Sequence, residues 1–362
     1  MKQSLAFLIS ITLHCGVFAQ TKYHDASQFQ LIGKISPETE TLYERLPAIL
    51  KNNCRVPVWN LGKHTSGLAI RFRTNSTHIS AKWEVLTNNH MEHMTDLGIK
   101  GVDLYAWEVD HWQYVNSGRP SGKVNEKIII SNMSPLEKEY MLYLPLYDGL
   151  ISLSIGVDSL SIIEKPKLNF PNVKNPIVVY GTSITQGGCA SRPGMSYNNI
   201  LSRRLNNEVI NLGFSGNGQL DYEIAEVMSK KHDASLFILD FIPNVNAQQI
   251  VEKTNRFVNI IRKENPKTPI LFIETIIFPH SYYDQNTHEI IKEKNKLLKK
   301  EFYRLKSMDM ENIYYLSGDN LIGNDFEATV DGIHLTDLGF IRFAEELHKK
   351  IRRITQKSNK PL

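Results

Sequence analysis

The stretch Ile177-Val178-Val179-Tyr180-Gly181-Thr182-Ser183-Ile184-Thr185-Gln186-Gly187 decides the fold of this chain. Its first four residues are apolar and mostly β-branched, which is typical of a short strand buried on both faces of a sheet. A turn bounded by glycines follows, with Ser183 in its middle. Open α/β folds place their sites at the carboxyl ends of such strands, where a serine can act as a nucleophile if a base lies within hydrogen-bond reach. Taken alone, Gly-x-Ser-x-x-x-Gly is a weak pattern, so the base must be sought elsewhere in the chain.

From this stretch onward, strand-like runs alternate with amphipathic segments. The strand-like runs are 177–180, 208–212, 235–241, 269–275 and 312–316, and the amphipathic segments lie near 196–206, 219–231, 246–264, 286–306 and 335–353. Such alternation predicts right-handed βαβ units and a parallel sheet covered by helices on both faces. Five strands favour a flavodoxin-like three-layer α/β domain, which we place at residues 172–355.

The N-terminal half has a different period. From about Leu46 to Asp158 apolar and polar residues alternate, as in 68–73 and 79–85, and turn clusters occur at the spacing of a β-sandwich. We predict an all-β domain of sandwich or jelly-roll type over residues 20–168. The polar, proline-flanked segment from Pro166 to Pro176 is the predicted linker between the two domains.

The charge balance argues against two classes of partner. The 362 residues include 42 Lys and Arg against 38 Asp and Glu, a net charge of +4. This excess is small and scattered, which argues against a nucleic-acid-binding stripe or a membrane-binding patch. Beyond the N-terminus, no stretch is apolar enough to predict a transmembrane helix. The oligomeric state stays open.

The N-terminus has the pattern of a secretory leader. Lys2 precedes the apolar run 5–13, which is too short to span a bilayer, and Val17-Phe18-Ala19 supplies the small residues that a signal peptidase reads. We predict cleavage after residue 19, with Gln20 as the mature start, and a periplasmic or extracellular protein. Cys15 also suggests a lipoprotein, but His14 before it fits a lipidation site poorly.

Four segments of the α/β half carry side chains or glycines suited to one site. They are Gly181-Thr182-Ser183, the glycine-rich Asn211–Gly218 segment, Asp240-Phe241-Ile242-Pro243-Asn244, and Asp331-x-x-His334. A glycine-rich loop after a strand can direct backbone N–H groups at an anion, although a plain strand-to-helix turn has the same composition. The Asp-x-x-His spacing lets one segment offer a carboxylate and an imidazole to one hydroxyl.

These four segments, in this order, resemble the four conserved blocks of the SGNH (GDSL-like) hydrolase superfamily over residues 176–350. The N-terminal half resembles the β-domain that accompanies one branch of that superfamily, through Gly101-Val102-Asp103-Leu104-Tyr105 and Pro57-Val58-Trp59-Asn60-Leu61. The resemblance implies a serine esterase with a three-layer α/β catalytic domain.

The resemblance also implies the role of each matching residue. Ser183 is the nucleophile, His334 the general base and Asp331 the acid that orients it, whereas Ser183 N–H, Gly216 N–H and the Asn244 side chain form the oxyanion hole. Two departures stand out, because Thr182 replaces the usual aspartate before the serine and Asn244 lies in Ile-Pro-Asn-Val rather than Gly-x-Asn-Asp. If Asp331 points away from His334, Asp240 is the other candidate acid.

Cysteines and histidines elsewhere leave a few alternatives. After leader cleavage Cys54 and Cys189 remain, and they are free to pair in an oxidising compartment. Cys189 is also a rival nucleophile, although nothing nearby in sequence marks it as activated. His90-x-x-His93 is the one candidate metal pair, for which we predict a structural or surface role, since ester hydrolysis by this machinery needs no metal or cofactor.

Secretion, a β-sandwich partner and the lack of a long apolar lid point to a polar substrate. Within the superfamily this combination resembles carbohydrate esterases that remove acetyl groups from polysaccharides, so the resemblance implies removal of short acyl groups, acetyl above all, from carbohydrates. A lipase acting on lipid esters is the alternative, and a carbohydrate-binding protein with a vestigial hydrolase domain is a third possibility. The β-domain is expected to form part of the substrate-binding wall, with Asp103 and Arg192 as candidate substrate-binding residues.

Overall fold

The computed structural model describes residues 20–169 and 171–358, so the predicted leader at residues 1–19 lies outside the described residues. The N-terminal half is built from short strands and two short α-helices. In chain order these are β1 (Thr21–Asp25), β2 (Gln30–Ile32), α1 (Val56–Gly62), β3 (Ala69–Thr74), β4 (Ile79–Val85), α2 (Asp96–Lys100), β5 (Val102–Glu108), β6 (His111–Gly118), β7 (Val124–Ile130), β8 (Lys138–Tyr143), β9 (Leu150–Asp158) and β10 (Ile163–Glu164).

The strands of this half form two antiparallel sheets. One has the order β1-β9-β4-β7, and the other has the order β10-β3-β8-β5-β6, with β2 added beside β3. Alternate side chains of both sheets meet in one apolar core around Phe72, Trp83 and Leu104, which is the packing that the period-two pattern predicts. The predicted all-β sandwich is confirmed.

The C-terminal half alternates strands and helices. It contains β11 (Asn172–Gly181), α3 (Ser183–Gln186), α4 (Tyr197–Leu205), β12 (Asn207–Gly213), α5 (Tyr222–Ser229), β13 (Leu236–Asp240), α6 (Ala247–Glu264), β14 (Ile270–Ile273), α7 (Gln285–Ser307), β15 (Ile313–Leu316) and α8 (Asp337–Ser358).

These five strands form one parallel sheet in the order β12-β11-β13-β14-β15. Along β11, Ile177 and Val179 pack into the core on one face of the sheet, whereas Val178 and Tyr180 pack into the core on the other. Helices cover both faces, so the strand run is apolar at every position. The predicted five-stranded flavodoxin-like domain is confirmed.

One boundary differs from the sequence-based prediction. β11 begins at Asn172, so the second half of the predicted linker belongs to the strand. The register with β12 shifts between Asn172 and Ile177 and is regular only from Ile177 onward. Pro176 has no N–H to donate to a neighbouring strand, which explains why the sequence pattern of a strand is clear only after it.

The two halves share their apolar cores. Residues of the N-terminal half enter the cores on both faces of the parallel sheet: Met94, Ile99, Leu146 and Tyr147 on one face, and Ile35, Leu46, Leu50, Val58 and Trp59 on the other. The β-domain therefore covers apolar surface of the α/β domain rather than hanging from a linker.

A buried arginine joins the halves by hydrogen bonds. The guanidinium of Arg45 has no accessible surface and donates to the carbonyl oxygens of Leu61 at 2.7 Å and His64 at 2.8 Å. It also donates to the carbonyls of Asn211 and Gly213 in β12, at 2.9 and 3.0 Å. The end of β12, where the glycine-rich segment begins, is thus held against the β-domain.

Within residues 20–169 and 171–358, no helix has the length and apolar character needed to cross a membrane.

Candidate active site

Ser183 lies at the carboxyl end of the second strand in the sheet order. β11 ends at Gly181, and Ser183 is the first residue of the single-turn helix α3, which Gly187 terminates with φ of +106°. A residue at the start of a helix has no helical acceptor for its N–H, so the Ser183 N–H is available to an oxyanion. The serine side chain lies in a nearly closed position, with 7% of the residue exposed.

The structure brings Ser183, His334 and Asp331 into one hydrogen-bonded chain. His334 Nε2 lies 2.9 Å from Ser183 Oγ, and His334 Nδ1 lies 2.6 Å from Asp331 Oδ2. Burial favours a higher pKa for Asp331, but hydrogen bonds from the His334 ring and from the N–H groups of His334 and Ile333 outweigh it and lower the pKa to about 2. The ionised carboxylate accepts from Nδ1–H, so Nε2 is free to accept the serine proton.

The Asp-x-x-His spacing closes a tight turn. Asp331 Oδ1 accepts from the N–H groups of Ile333 and His334, at 3.0 and 2.7 Å, and the Val330 N–H donates to the His334 carbonyl at 2.8 Å. One carboxylate oxygen therefore holds the backbone while the other holds the ring. Gly332 in the turn has φ of +87°, which a residue with a side chain rarely adopts.

The loop after β12 lies directly against the nucleophile turn. The Phe214 N–H donates to the Gly181 carbonyl at 3.0 Å, and a Cβ on Gly218 would stand 2.3 Å from that same oxygen, so Gly218 must lack a side chain. Asn244 Oδ1 accepts from the Gly218 N–H at 3.2 Å, which leaves its Nδ2 group as a donor. Gly216, with φ of +67°, is exposed in this loop. Both predicted oxyanion residues thus belong to the segments that meet at Ser183.

Asp240 belongs to a buried network behind the serine rather than to the triad. Its Oδ2 accepts from Thr185 Oγ1 and from the Tyr197 hydroxyl, each at 2.9 Å, and Thr185 Oγ1 in turn accepts from the Thr182 N–H at 3.1 Å. Burial raises the pKa of Asp240 to about 7, although the two hydroxyl donors act in the opposite direction. Because Asp331 is the carboxylate on His334, Asp240 is not needed as the acid.

The β-domain reaches the catalytic serine through Tyr147. The Tyr147 hydroxyl donates to the Ser183 carbonyl at 3.2 Å. A Cβ on Gly188 would lie 2.8 Å from that hydroxyl and 3.2 Å from His334 Cδ2, so the glycine permits all three groups to meet. Sequence analysis did not single out Tyr147, because its partner is distant in the chain and no local pattern marks it.

Gln186 connects the β-domain to the glycine-rich loop. Its Oε1 accepts from the Ser215 N–H at 3.0 Å, while its Nε2 donates to the Leu146 carbonyl and to His64 Nδ1, both at 3.1 Å. Burial, and after it the neighbouring Arg45, lowers the pKa of His64 to about 4. The neutral ring can therefore accept a hydrogen bond from the Gln186 amide.

The two cysteines are free and lie far apart in the packing. Cys54 packs with the core on one face of the parallel sheet, and Cys189 belongs to the core on the other face. Burial, followed by the charge of Asp331, raises the pKa of the Cys189 thiol to about 12. Since the thiolate is the nucleophilic form, this thiol is a poor rival to Ser183.

Asp103 and Arg192 form an ion pair, and Asp103 is closed off from solvent. Asp103 has no accessible surface, and its carboxylate accepts from Arg192 Nη1 at 2.8 Å, the Gly194 N–H at 2.8 Å and Ser117 Oγ at 2.6 Å. The Arg192 guanidinium also lies 3.9 Å from the ring centroid of Tyr114. A carboxylate that is fully buried and satisfied has no surface for a sugar hydroxyl. We correct the substrate-binding expectation for Asp103, which belongs to the contact between the domains. For Arg192, which is 19% exposed and lines a cavity, substrate binding stays a prediction.

The histidines of the His90-x-x-His93 pair have different positions. His90 is exposed and bonds Asp96 at 2.8 Å, as expected for a surface residue. His93 lies beside the triad, because its ring centroid is 5.5 Å from that of His334. The structural or surface role stays a prediction for His93, and only the tertiary structure reveals that it lies beside His334.

This arrangement has the parts that acyl transfer from an ester requires. His334 Nε2 takes the Ser183 proton as the serine oxygen attacks the ester carbonyl, and it returns that proton to the departing alcohol. Ser183 N–H, Gly216 N–H and Asn244 Nδ2 are the candidate donors to the oxyanion of the tetrahedral intermediate. Water then attacks the acyl-serine with the same base.

Comparisons with known proteins agree with this geometry. Residues 174–352 match the GDSL-like lipase/acylhydrolase family, and residues 21–163 match the GxDLY domain described as the N-terminus of SGNH-hydrolase-type esterases. No curated protein sequence matches the chain.

Solved structures extend the similarity over both domains. A protein from Bacteroides ovatus described as a GDSL-like lipase shares 40% identity and a TM-score of 0.89, over 93% of this chain and 98% of that one. The salicylyl-acyltransferase SsfX3 of a tetracycline biosynthetic pathway is 17% identical, with a TM-score of 0.75 over 92% of this chain and 97% of that one. A family two carbohydrate esterase from Clostridium thermocellum, in complex with cellohexaose, is 12% identical, with a TM-score of 0.59 over 80% and 92%. The last two similarities show a shared fold alone, whereas the family matches and the first structure show membership of a family. The chain belongs to the GDSL-like lipase/acylhydrolase family of SGNH hydrolases, in the branch with a GxDLY N-terminal domain, and is an esterase.

Proposed function

We propose that this esterase is secreted and removes short acyl groups, chiefly acetyl, from carbohydrates. The observation that carries the reaction class is the chain from Asp331 through His334 to Ser183, with contacts of 2.6 and 2.9 Å. It is joined to a loop of donors suited to an oxyanion.

A cavity beside the catalytic turn supports a carbohydrate substrate. His280 Nδ1 lies 3.2 Å from the Gly332 carbonyl, and the residue before His280 lines a cavity of about 380 Å³. The rings of Tyr282 and Phe326 meet there edge to face at 5.1 Å, and each residue is about half exposed. Asp319, Asn320 and Asn324 line the same cavity. Exposed aromatic faces beside amide and carboxylate groups suit the apolar faces and hydroxyls of a sugar.

The test compares polymer and small-ester substrates. We expect acetate release from acetylated polysaccharides and hydrolysis of a chromogenic acetate ester, both lost in Ser183→Ala. Tyr282→Ala should lower turnover of the polymer more than turnover of the small ester. Tyr283→Ala is the matched control, since Tyr283 is 92% exposed and does not line the cavity. Equal losses on both substrates in Tyr282→Ala would remove the cavity from substrate binding.

A lipase remains the second candidate, because the Bacteroides ovatus relative is described as GDSL-like lipase. A series of esters with increasing acyl length separates the two functions. We expect the highest kcat/KM with acetate, whereas a maximum at long chains would favour lipid esters.

Secretion rests on the leader pattern at residues 1–19. We expect the protein recovered from its native cells to begin at Gln20 and to lie outside the cytoplasm. An intact N-terminus in cytoplasmic protein would contradict this part of the proposal without affecting the chemistry.

A further inference from the structure

Four side chains of metal-binding type converge beside the nucleophile. His93, Cys189, Asp331 and His334 each offer one ligand atom, and these atoms all lie within 4.8 Å of one another. They come from three segments: the β-domain loop between β4 and α2, the loop after α3, and the turn before α8. These segments are far apart in the sequence, so only the tertiary fold brings the four side chains together.

The β-domain loop that carries His93 is held in place. The Asn89 N–H donates to the buried carboxylate of Asp148 at 2.9 Å, and Asn89 Nδ2 donates to the Tyr147 carbonyl at 2.7 Å. On the other side of His93, a Cβ on Gly98 would stand 2.3 Å from the Ala190 carbonyl, so α2 lies directly on the residue after Cys189. The loop that carries His93 is thus held against the cysteine loop.

His93 has a ring nitrogen to spare. Its Nδ1 is buried and has no hydrogen-bond partner among residues 20–169 and 171–358, although it lies 3.7 Å from Glu92 Oε1. The side chain as a whole remains 30% exposed, which gives an ion a path from solvent. A buried polar atom without a partner is uncommon, and a metal ligand bond would satisfy it.

We propose that these four side chains form a zinc-binding site whose occupation inhibits the esterase. A thiolate, two imidazoles and a carboxylate are ligands that Zn²⁺ takes in tetrahedral sites, with bonds of about 2.0–2.3 Å. Such bonds place ligand atoms about 3–4 Å apart, so atoms that now lie within 4.8 Å of one another need only small shifts to bind one ion. As the zinc–sulfur bond forms, the Cys189 thiol releases its proton to solvent.

Inhibition follows from the ligands themselves. His334 uses Nδ1 for Asp331 and Nε2 for Ser183, so whichever ring nitrogen binds zinc breaks one contact of the triad. A zinc-bound imidazole that has lost its serine or its aspartate cannot serve as the general base. Zinc is here an inhibitor and takes no part in the reaction.

The test uses the full chain freed of metal by a chelator and titrated calorimetrically with zinc chloride. We expect one site per chain in the wild-type protein and in Ser183→Ala. The affinity for zinc should fall by about tenfold or more in His93→Ala and in Cys189→Ser, because each substitution removes one ligand. His90→Ala is the matched control, because it alters the same loop at an exposed histidine outside the cluster. Melting temperatures of all variants verify folding, and His93→Gln replaces His93→Ala if the latter is unstable.

Activity provides a second arm, which rests on the esterase function. Zinc should inhibit hydrolysis of a chromogenic acetate ester, a chelator should restore it, and His93→Ala and Cys189→Ser should need about tenfold more zinc for the same fractional inhibition. The site is excluded if no zinc binds, or if folded His93→Ala and Cys189→Ser bind it as tightly as the wild type. Binding without inhibition would exclude the regulatory role. If no acetate ester is hydrolysed at all, the calorimetric titration still decides the site.

Discussion

In the triad of Ser183, His334 and Asp331, the aspartate side chain has two separate roles. The two oxygens of Asp331 hold different groups, one the backbone of its own turn and the other the imidazole. Its low pKa keeps the carboxylate ionised at every pH where the protein is expected to work. The histidine tautomer, and with it the base at Nε2, is set by this charge.

Replacing the triad residues tests these roles one by one. Ser183→Ala and His334→Ala should each lower kcat for ester hydrolysis by about 10⁴–10⁶-fold, and by similar factors, because the two residues act as a unit. Asp331→Asn should cost less, because it removes the orienting charge and leaves nucleophile and base in place. Circular dichroism should show native folding in all three. Undiminished turnover in either alanine variant would disprove the assignment.

The segment between β8 and β9 links the sandwich to the catalytic serine. Pro145 ends the strand pairing, and Tyr147 then enters the core beside α3, where its hydroxyl contacts the Ser183 carbonyl. That carbonyl also accepts from the N–H groups of Gly187 and Gly188, at 3.0 and 2.8 Å. Tyr147 therefore adds a hydrogen bond to a turn that is already stabilised by the turn's own backbone hydrogen bonds.

Tyr147→Phe isolates this support. Losing one hydrogen bond of about 1 kcal/mol should reduce kcat/KM by about fivefold and leave the fold intact. Tyr140→Phe is the control, since the Tyr140 hydroxyl only approaches Met133 Sδ at 3.7 Å inside the sandwich. A Tyr147→Phe enzyme with the activity of the control would show that the contact is dispensable.

The molecule as a whole folds as two domains with joint cores. A chain that begins at Asn172 loses Trp59 and Leu146 from the cores on the two faces of the sheet, together with the two hydrogen bonds that Arg45 donates to β12. Exposed core surface favours aggregation. We expect this truncated chain to be insoluble or to lack a cooperative thermal transition. A soluble truncated chain with full activity on a small acetate ester would show that the β-domain is an appendage.

Buried carboxyls give the whole molecule a pH-dependent stability. Burial raises the pKa of Asp240 from 3.8, and that of Glu208 from 4.5, to about 7 in the folded protein. The contribution of each carboxyl to the free energy of unfolding is therefore complete below its pKa in the unfolded chain, and it is lost as pH rises through about 7. Asp331 acts in the opposite sense, because its lowered pKa stabilises the fold above 3.8 and that gain disappears as pH falls through about 2.

Urea unfolding at a series of pH values measures this effect. The free energy of unfolding should fall between about pH 4 and about pH 7, and Asp240→Asn should make the slope shallower, because the amide cannot ionise. Asp110→Asn, at an exposed turn, should leave the slope unchanged. An identical slope in Asp240→Asn and the wild type would show that Asp240 does not titrate in this range.

Local sequence patterns were sufficient for the architecture and for the Asp331–His334 pair, whereas the link from that pair to Ser183 came from the resemblance. The apolar run before Ser183 predicts a strand buried on both faces, and period two in the N-terminal half predicts a sandwich, because strand and helix repeats depend on near neighbours. Asp331 and His334 lie three residues apart, so a single turn is enough to bring them together. Asn244 and Gly216 were identified by resemblance. Their segments follow strands that end at the same edge of the sheet.

Contacts between distant segments were decided only by the packed molecule. Arg45 meets Asn211 across 166 positions and Arg192 meets Asp103 across 89, and no short-range pattern records such pairs. For the same reason the sequence suggested that Asp103 binds substrate, and it gave no sign that His93 lies beside the triad. Their true surroundings depend on how the sandwich docks on the parallel sheet, which buries the carboxylate of one and places the imidazole of the other beside the triad.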